Sequence, residues 1–203
     1  GFSAGDEPDG SGKFIANVLN NRKITDAIHA LLDRGGLILG ICNGFQALVK
    51  SGLLPYGRLG CVCKESPTLF RNDINRHVSQ IVTTRVATVN SPWLSSFEVG
   101  ELHSIAVSHG EGKFVVSDEM AEELFRNGQV AFQYVDPDGN ATLRAPYNPN
   151  GSSFGIEGII SRDGHILGKM GHTERYEDGL FKNIAGNKVQ EIFANAVNYF
   201  KGK

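Results

Sequence analysis

Apolar positions along this chain change period repeatedly. Near the start they recur at helical spacing. Phe14, Ile15, Val18 and Leu19 make one stripe, and Ile24, Ala27, Ile28, Leu31 and Leu32 make a second. Gly35-Gly36 ends the second helix. The period then collapses into an unbroken apolar run over 37–41, the pattern of a buried strand. Phe45, Ala47, Leu48 and Val49 restore the helical pattern and predict a helix over 43–53, with Gly52 and Pro55 closing it.

Beyond that point β-type patterns dominate. Residues 78–89 are rich in Val, Ile and Thr and predict a strand. Two short strands, 105–107 and 114–116, flank the loop Ser108-His109-Gly110-Glu111-Gly112. A helix over 119–126 and a strand over 130–135 follow, then the turn 136–139 and a polar loop over 140–153. Strands 156–161 and 165–170 flank Asp163-Gly164, a hairpin signal. Val189, Ile192, Phe193, Ala196, Val197 and Phe200 predict a one-faced final helix. Alternating helices and strands early, with strands in the middle, predict an α/β sheet carrying an antiparallel extension.

Composition narrows the class. A length of 203 residues suits one domain, 1–203. The formal net charge of -2 gives no global pull toward nucleic acid or an anionic membrane. No apolar run approaches the roughly 20 residues of a membrane helix. The cysteines Cys42, Cys61 and Cys63 form no C-x-x-C pair and have no histidines in register. Free thiols in a reducing cytoplasm, with no metal site, are the expectation. The opening Gly1-Phe2-Ser3-Ala4-Gly5-Asp6 is a loop without an initiator methionine, as expected of the C-terminal piece of a longer chain.

The chemistry concentrates at Gly40-Ile41-Cys42-Asn43-Gly44, between the 37–41 strand and the next helix. Gly-x-Cys-x-Gly at a strand-to-helix turn has the form of a nucleophile elbow, with sulfur in place of the usual serine oxygen. The glycines would permit a sharp turn and close backbone approach. A cysteine at a helix N-terminus is expected to favour its thiolate. The competing reading is a buried, inert thiol.

A thiol nucleophile needs a base, and the base needs an orienting group. His172 follows the 165–170 strand, and Glu174 lies two residues on. In an extended segment such residues share a side, so imidazole and carboxylate can pair. His109, in its glycine-rich loop, is the second candidate base.

Gly-x-Cys-x-Gly-x-Gln at 40–46 together with His-x-Glu at 172–174 resembles the class I, triad-type glutamine amidotransferases. Four further stretches resemble one branch, the glutaminase domain of phosphoribosylformylglycinamidine synthase: 1–6, 42–46, 109–112 and Gly155-Ile156-Glu157-Gly158-Ile159. The 6–12 run is similar to the long, single-chain clostridial form. The resemblance implies a flavodoxin-like, mostly parallel sheet flanked by helices, with the first strands of the family fold missing here. It implies that Cys42 forms a γ-glutamyl thioester, that His172 shuttles the proton and that Glu174 orients His172. Asn43 and Gly1 would supply oxyanion donors, and Gln46, Ser108 and His109 would bind glutamine.

The implied partner is a synthetase domain, in the same longer chain or as a subunit. It would use ATP and Mg²⁺ to amidate formylglycinamide ribonucleotide in de novo purine biosynthesis, an ATP-dependent C–N ligase reaction. This chain carries no Walker-A loop, so no cofactor is expected on it. Gly171 and Thr173 stand where the family commonly has proline, which predicts a less stiff His172 loop, and His77 stands where it often has phenylalanine. Two other readings of the elbow are a hydrolase or redox protein of the DJ-1/PfpI type and a non-catalytic docking domain. Gln46 together with His172-x-Glu174 favours the amidotransferase.

Overall fold

The computed structural model describes residues 12–202. Helices α1 (Lys13–Leu19) and α2 (Arg22–Asp33) lead into strand β1 (Ile38–Ile41) and helix α3 (Asn43–Ser51). A short turn, α4 (Leu53–Tyr56), follows. Then come β2 (Thr68–Phe70), β3 (Val78–Val86), β4 (Leu102–His109), β5 (Lys113–Val115), α5 (Asp118–Arg126) and β6 (Val130–Tyr134). The chain ends with β7 (Ile156–Ile160), β8 (Ile166–Lys169) and α6 (Ile192–Lys201).

Six strands form one sheet in the order β1-β8-β7-β6-β3-β4, and β2 and β5 form a separate two-stranded ribbon. Among the described residues only β1 and β8 run parallel, Ile38 opposite Ile166 and Ile41 opposite Lys169. The β7–β8, β6–β7, β3–β6 and β3–β4 pairings are all antiparallel. The fold is thus α/β as expected, but the balance differs from a mostly parallel sheet: the antiparallel extension is the larger part of what is described. The Asp163-Gly164 hairpin is present, with Gly164 at φ 75° and the Ser161 hydroxyl bonded to the Asp163 carboxylate.

The two strands expected around 108–112 do not pair with each other. β4 pairs with β3, whereas β5 pairs with β2, a strand the sequence pattern did not signal. β4 also begins earlier than the apolar run suggests, because Leu102 and His103 lie opposite Arg85 and Thr84 and share their ladder. The final helix begins at Ile192 rather than Val189. Its apolar stripe is wider than the contact it makes: Ile192 is buried, while Phe193, Val197 and Phe200 are exposed.

Helix α3 lies close on the sheet. An added Cβ at Gly40 would fall 2.7 Å from the Gly44 carbonyl carbon, and one at Gly168 on β8 would fall 2.2 Å from the Phe45 ring. Phe45 is fully buried and stacks on Phe114 of the ribbon, with centroids 6.1 Å apart. Burying such a ring stabilises the fold by roughly 2 kcal/mol. Phe45 therefore joins the elbow helix to the β2–β5 ribbon.

Candidate active site

Among the described residues β1 and β4 are the two outer strands of the sheet, yet their ends meet. The Cys42 amide, one residue past β1, donates to the Lys169 carbonyl at 2.8 Å and so extends the β1–β8 pairing. The Cys42 thiol donates to the Ser108 carbonyl on β4 at 3.6 Å. The His172 amide, just beyond β8, donates to the Ala106 carbonyl of the same strand at 2.8 Å. Residues i and i+2 of a strand present their carbonyls on one side. The open edge of β4 therefore holds both the thiol and the histidine loop, and the curl of the sheet brings these segments together.

At Cys42 the chain turns sharply, with φ 55° and ψ −108°, and Gln46 N–H then closes the first helical bond on the Cys42 carbonyl at 3.1 Å. A non-glycine residue in this region is strained and persists only where its surroundings enforce it. The two elbow glycines serve different ends. Gly40 lets the helix press on the strand, whereas an added Cβ at Gly44 would meet nothing within 4 Å.

Cys42 is 5% exposed. Burial pushes its thiol above the usual range, and the hydrogen bond from the Asn43 backbone only partly offsets this. Burial thus works against the thiolate that a helix N-terminus would favour. The bond to the Ser108 carbonyl fits the thiol form, since only S–H donates to a carbonyl.

His172 is buried, and its Nδ1 lies 2.5 Å from Glu174 Oε1. Its Nε2 is buried with no hydrogen-bond partner among the described residues. Burial acts to raise the Glu174 carboxyl, but the His172 hydrogen bond, its own backbone N–H and the His172 charge together hold it below the usual carboxylate range. With Nδ1 committed to the carboxylate, Nε2 is the nitrogen available for proton transfer.

The remaining expected residues lie around this group. Gln46 is buried and its Nε2 donates to the Glu111 carbonyl, tying α3 to the 109–112 loop. Ser108 meets the thiol through its carbonyl, while its hydroxyl lies 3.0 Å from His77 Nε2. His109 is 3% exposed, and its Nε2 lies 3.2 Å from Asn150 Nδ2. Burial, with the nearby His77 and His172 charges, pushes its pKa down to about 3. A ring held this far below the usual imidazole range is a weak proton acceptor, which weighs against His109 as the base. Asn43 is buried at the helix start. Gly1, the other expected oxyanion donor, lies outside the described residues.

Sequence reasoning missed the supports of the site. Asn72 Nδ2 donates to the His109 carbonyl at 2.8 Å, and its Oδ1 accepts from the Gly112 amide at 3.0 Å. Glu157 on β7 and Lys169 on β8 are both fully buried behind the His172 loop. A charged residue in each of two buried strands was the available signal, since such groups stay inside only when paired. Among the described residues, no group of three or more His, Cys, Asp or Glu could hold a metal ion, and no helix is long and apolar enough to cross a membrane.

Residues 1–200 match the model of the CobB/CobQ-like glutamine amidotransferase domain. The chain belongs to that family. It is 37% identical over 168 residues to the phosphoribosylformylglycinamidine synthase subunit PurQ of Gloeobacter violaceus, covering 83% of this chain and 67% of that one. It is 40% identical over 163 residues to the subunit of the same name in Chlorobaculum tepidum, covering 80% of this chain and 64% of the relative. The chain thus spans about two thirds of the length of these relatives. Among solved structures it is similar to PurLQS from Thermotoga maritima, with a TM-score of 0.69 and 29% identity over 98% of this chain and 76% of that one. Family and fold agree with the resemblance of the motifs and set aside the DJ-1/PfpI reading.

Proposed function

We propose that the chain is the glutaminase part of phosphoribosylformylglycinamidine synthase and that Cys42, His172 and Glu174 carry its chemistry. The observation that supports this most is the grouping of a buried thiol at a strained elbow with an imidazole already bonded to a carboxylate, in a glutamine amidotransferase family member.

His172 Nε2 takes the Cys42 thiol proton as sulfur attacks the side-chain amide carbon of glutamine. The tetrahedral oxyanion is met by backbone N–H groups at the start of α3, Asn43 among them. The C–N bond breaks, the imidazolium returns its proton to the leaving nitrogen, and ammonia departs. Water then attacks the thioester while giving a proton to His172, and glutamate and free Cys42 are restored. Glu174 holds the ring and stabilises its protonated form.

Ammonia passes to a synthetase partner, which uses ATP and Mg²⁺ to convert formylglycinamide ribonucleotide to formylglycinamidine ribonucleotide in purine biosynthesis. The whole chain acts as one glutaminase domain and needs no cofactor of its own. Its working place is the cytoplasm. The PurQ relatives are named as subunits, which favours a partner subunit over a fused chain.

A glutamine-mimicking diazoketone followed by peptide mass spectrometry tests the reading. The expected adduct is on Cys42, spares Cys61 and Cys63, and is suppressed by excess glutamine. Equal labelling of all three thiols, indifferent to glutamine, would overturn it.

A further inference from the structure

The loop carrying His172 lacks the prolines that would stiffen it, yet it is fixed on both sides by one buried polar network. Before the histidine, the Gly171 amide donates to Glu157 Oε1 at 2.5 Å. Proline at 171 has no N–H to give, and an added Cβ would fall 2.8 Å from Glu157 Oε1 and 2.7 Å from Ile105 Cγ2. After the histidine, Lys169 Nζ donates to Thr173 Oγ1 at 2.9 Å and to Gln190 Oε1 at 2.6 Å. The Thr173 hydroxyl in turn donates to Gln190 Oε1 at 2.6 Å. Glu157 and Lys169 face each other at 4.0 Å with both side chains fully buried, and Lys169 Nζ also lies 5.0 Å from the Phe132 ring centroid.

Two buried charges are a poor way to gain stability, because well-packed apolar residues in their place are often as stable or more so. What this pair supplies is direction. Its two members grip the residues immediately before and after His172, while the His172 amide is held on β4.

We propose that the Glu157–Lys169 pair positions His172 through Gly171 and Thr173, replacing proline stiffness with a hydrogen-bonded frame. Neither residue touches substrate; both are positioning residues. The proposal rests on His172 being the base of the glutaminase reading, and it predicts that loosening the frame slows proton transfer without weakening glutamine binding.

The test uses the full-length protein with its synthetase partner. Thr173→Val removes the hydroxyl at nearly constant shape, Thr173→Ser restores it, and Glu157→Gln with Lys169→Met replaces the ion pair by a neutral one of similar size. Thermal melting first verifies folding. For Thr173→Val and the double variant, a fall of roughly tenfold in glutaminase kcat is expected, with KM within about twofold, since small misplacements of a catalytic group cost rate rather than affinity. The proton shared by His172 Nδ1 and Glu174, followed by NMR, is expected to shift or broaden in both and to recover in Thr173→Ser. Folded variants with unchanged kcat and an unchanged Nδ1 proton would overturn the proposal. The NMR comparison needs no turnover. A wild-type protein without glutaminase activity would therefore count against the function above and leave this test readable.

Discussion

His172 Nδ1 and Glu174 Oε1 lie 2.5 Å apart although only Thr173 separates the two residues. A 3₁₀ turn over Thr173–Arg175, and not the extended segment expected from the sequence, makes this possible, with His172 itself outside the helical region at φ −93° and ψ 83°. The carboxylate fixes which ring nitrogen carries the proton and leaves the other for chemistry. Glu174 is partly exposed while His172 is sealed, so the pair runs from solvent to the protein interior.

Glu174→Gln keeps the shape of this contact and removes its charge. The ring would lose both its tautomer control and the group that stabilises its protonated form. Glutaminase kcat is expected to fall by about 10²-fold or more, with little change in melting temperature. A steady-state assay of glutamate release checks it, and wild-type turnover in the variant would remove Glu174 from the mechanism.

The buried thiol leads to a less obvious expectation. Because burial holds Cys42 above the usual thiol range, little of it is thiolate at neutral pH in the free protein. Iodoacetamide, which has no glutamine-like shape, should modify the exposed Cys61 and Cys63 before Cys42 at pH 7.5. The Cys42 rate should then climb with pH through the alkaline range. Time-resolved mass spectrometry separates the three sites, and Cys42 reacting first at neutral pH would show a resting thiolate instead.

The two elbow glycines should answer differently to the same substitution. Gly40→Ala places a methyl 2.5 Å from Leu48 Cδ1 and 2.8 Å from the Gly44 carbonyl oxygen. The side chain can yield but the backbone cannot, and a loss of about 2 kcal/mol is expected. Gly44→Ala meets open space and should alter stability by no more than about 0.5 kcal/mol. If that space receives glutamine, the Gly44 variant should raise KM while melting normally. Urea unfolding and glutamine titration check both halves.

Much of this site was readable because its signals are local. Gly40 to Gly44 encode the elbow within five residues, and His172 and Glu174 are separated by one residue, so short-range geometry suffices. The frame around them was hidden because it is assembled from distant strands: Glu157, Lys169 and Gln190 have no periodic relationship, and only the β7–β8 pairing and the approach to α6 bring them together. The ribbon was hidden for a related reason. Thr68–Phe70 is too short to show alternation and becomes a strand only through its pairing with Lys113–Val115. His109 shows the opposite case, a residue of reactive type whose ring is held far below the usual imidazole range by burial and the nearby His77 and His172 charges. Burial is a tertiary quantity that residue type does not carry.

That burial gives His109 a measurable signature. Its pKa drops from 6.5 to about 3 on folding, through desolvation and the neighbouring His77 and His172 charges. Between those values the unfolded chain holds a proton that the folded protein does not. Stability from this group is therefore complete above about pH 6.5 and is lost as pH falls toward 3. The slope approaches about 1.4 kcal/mol per pH unit inside the window. His109→Gln removes the titration while retaining a polar side chain for Asn150. Its absolute stability will differ from wild type, but its decline between pH 6 and 4.5 should be shallower by about that slope. Urea unfolding midpoints of both proteins across this range give the answer. Parallel curves would mean that His109 takes up a proton as readily in the folded protein as in the unfolded chain, and the neutral, sealed ring beside the active site would have to be abandoned.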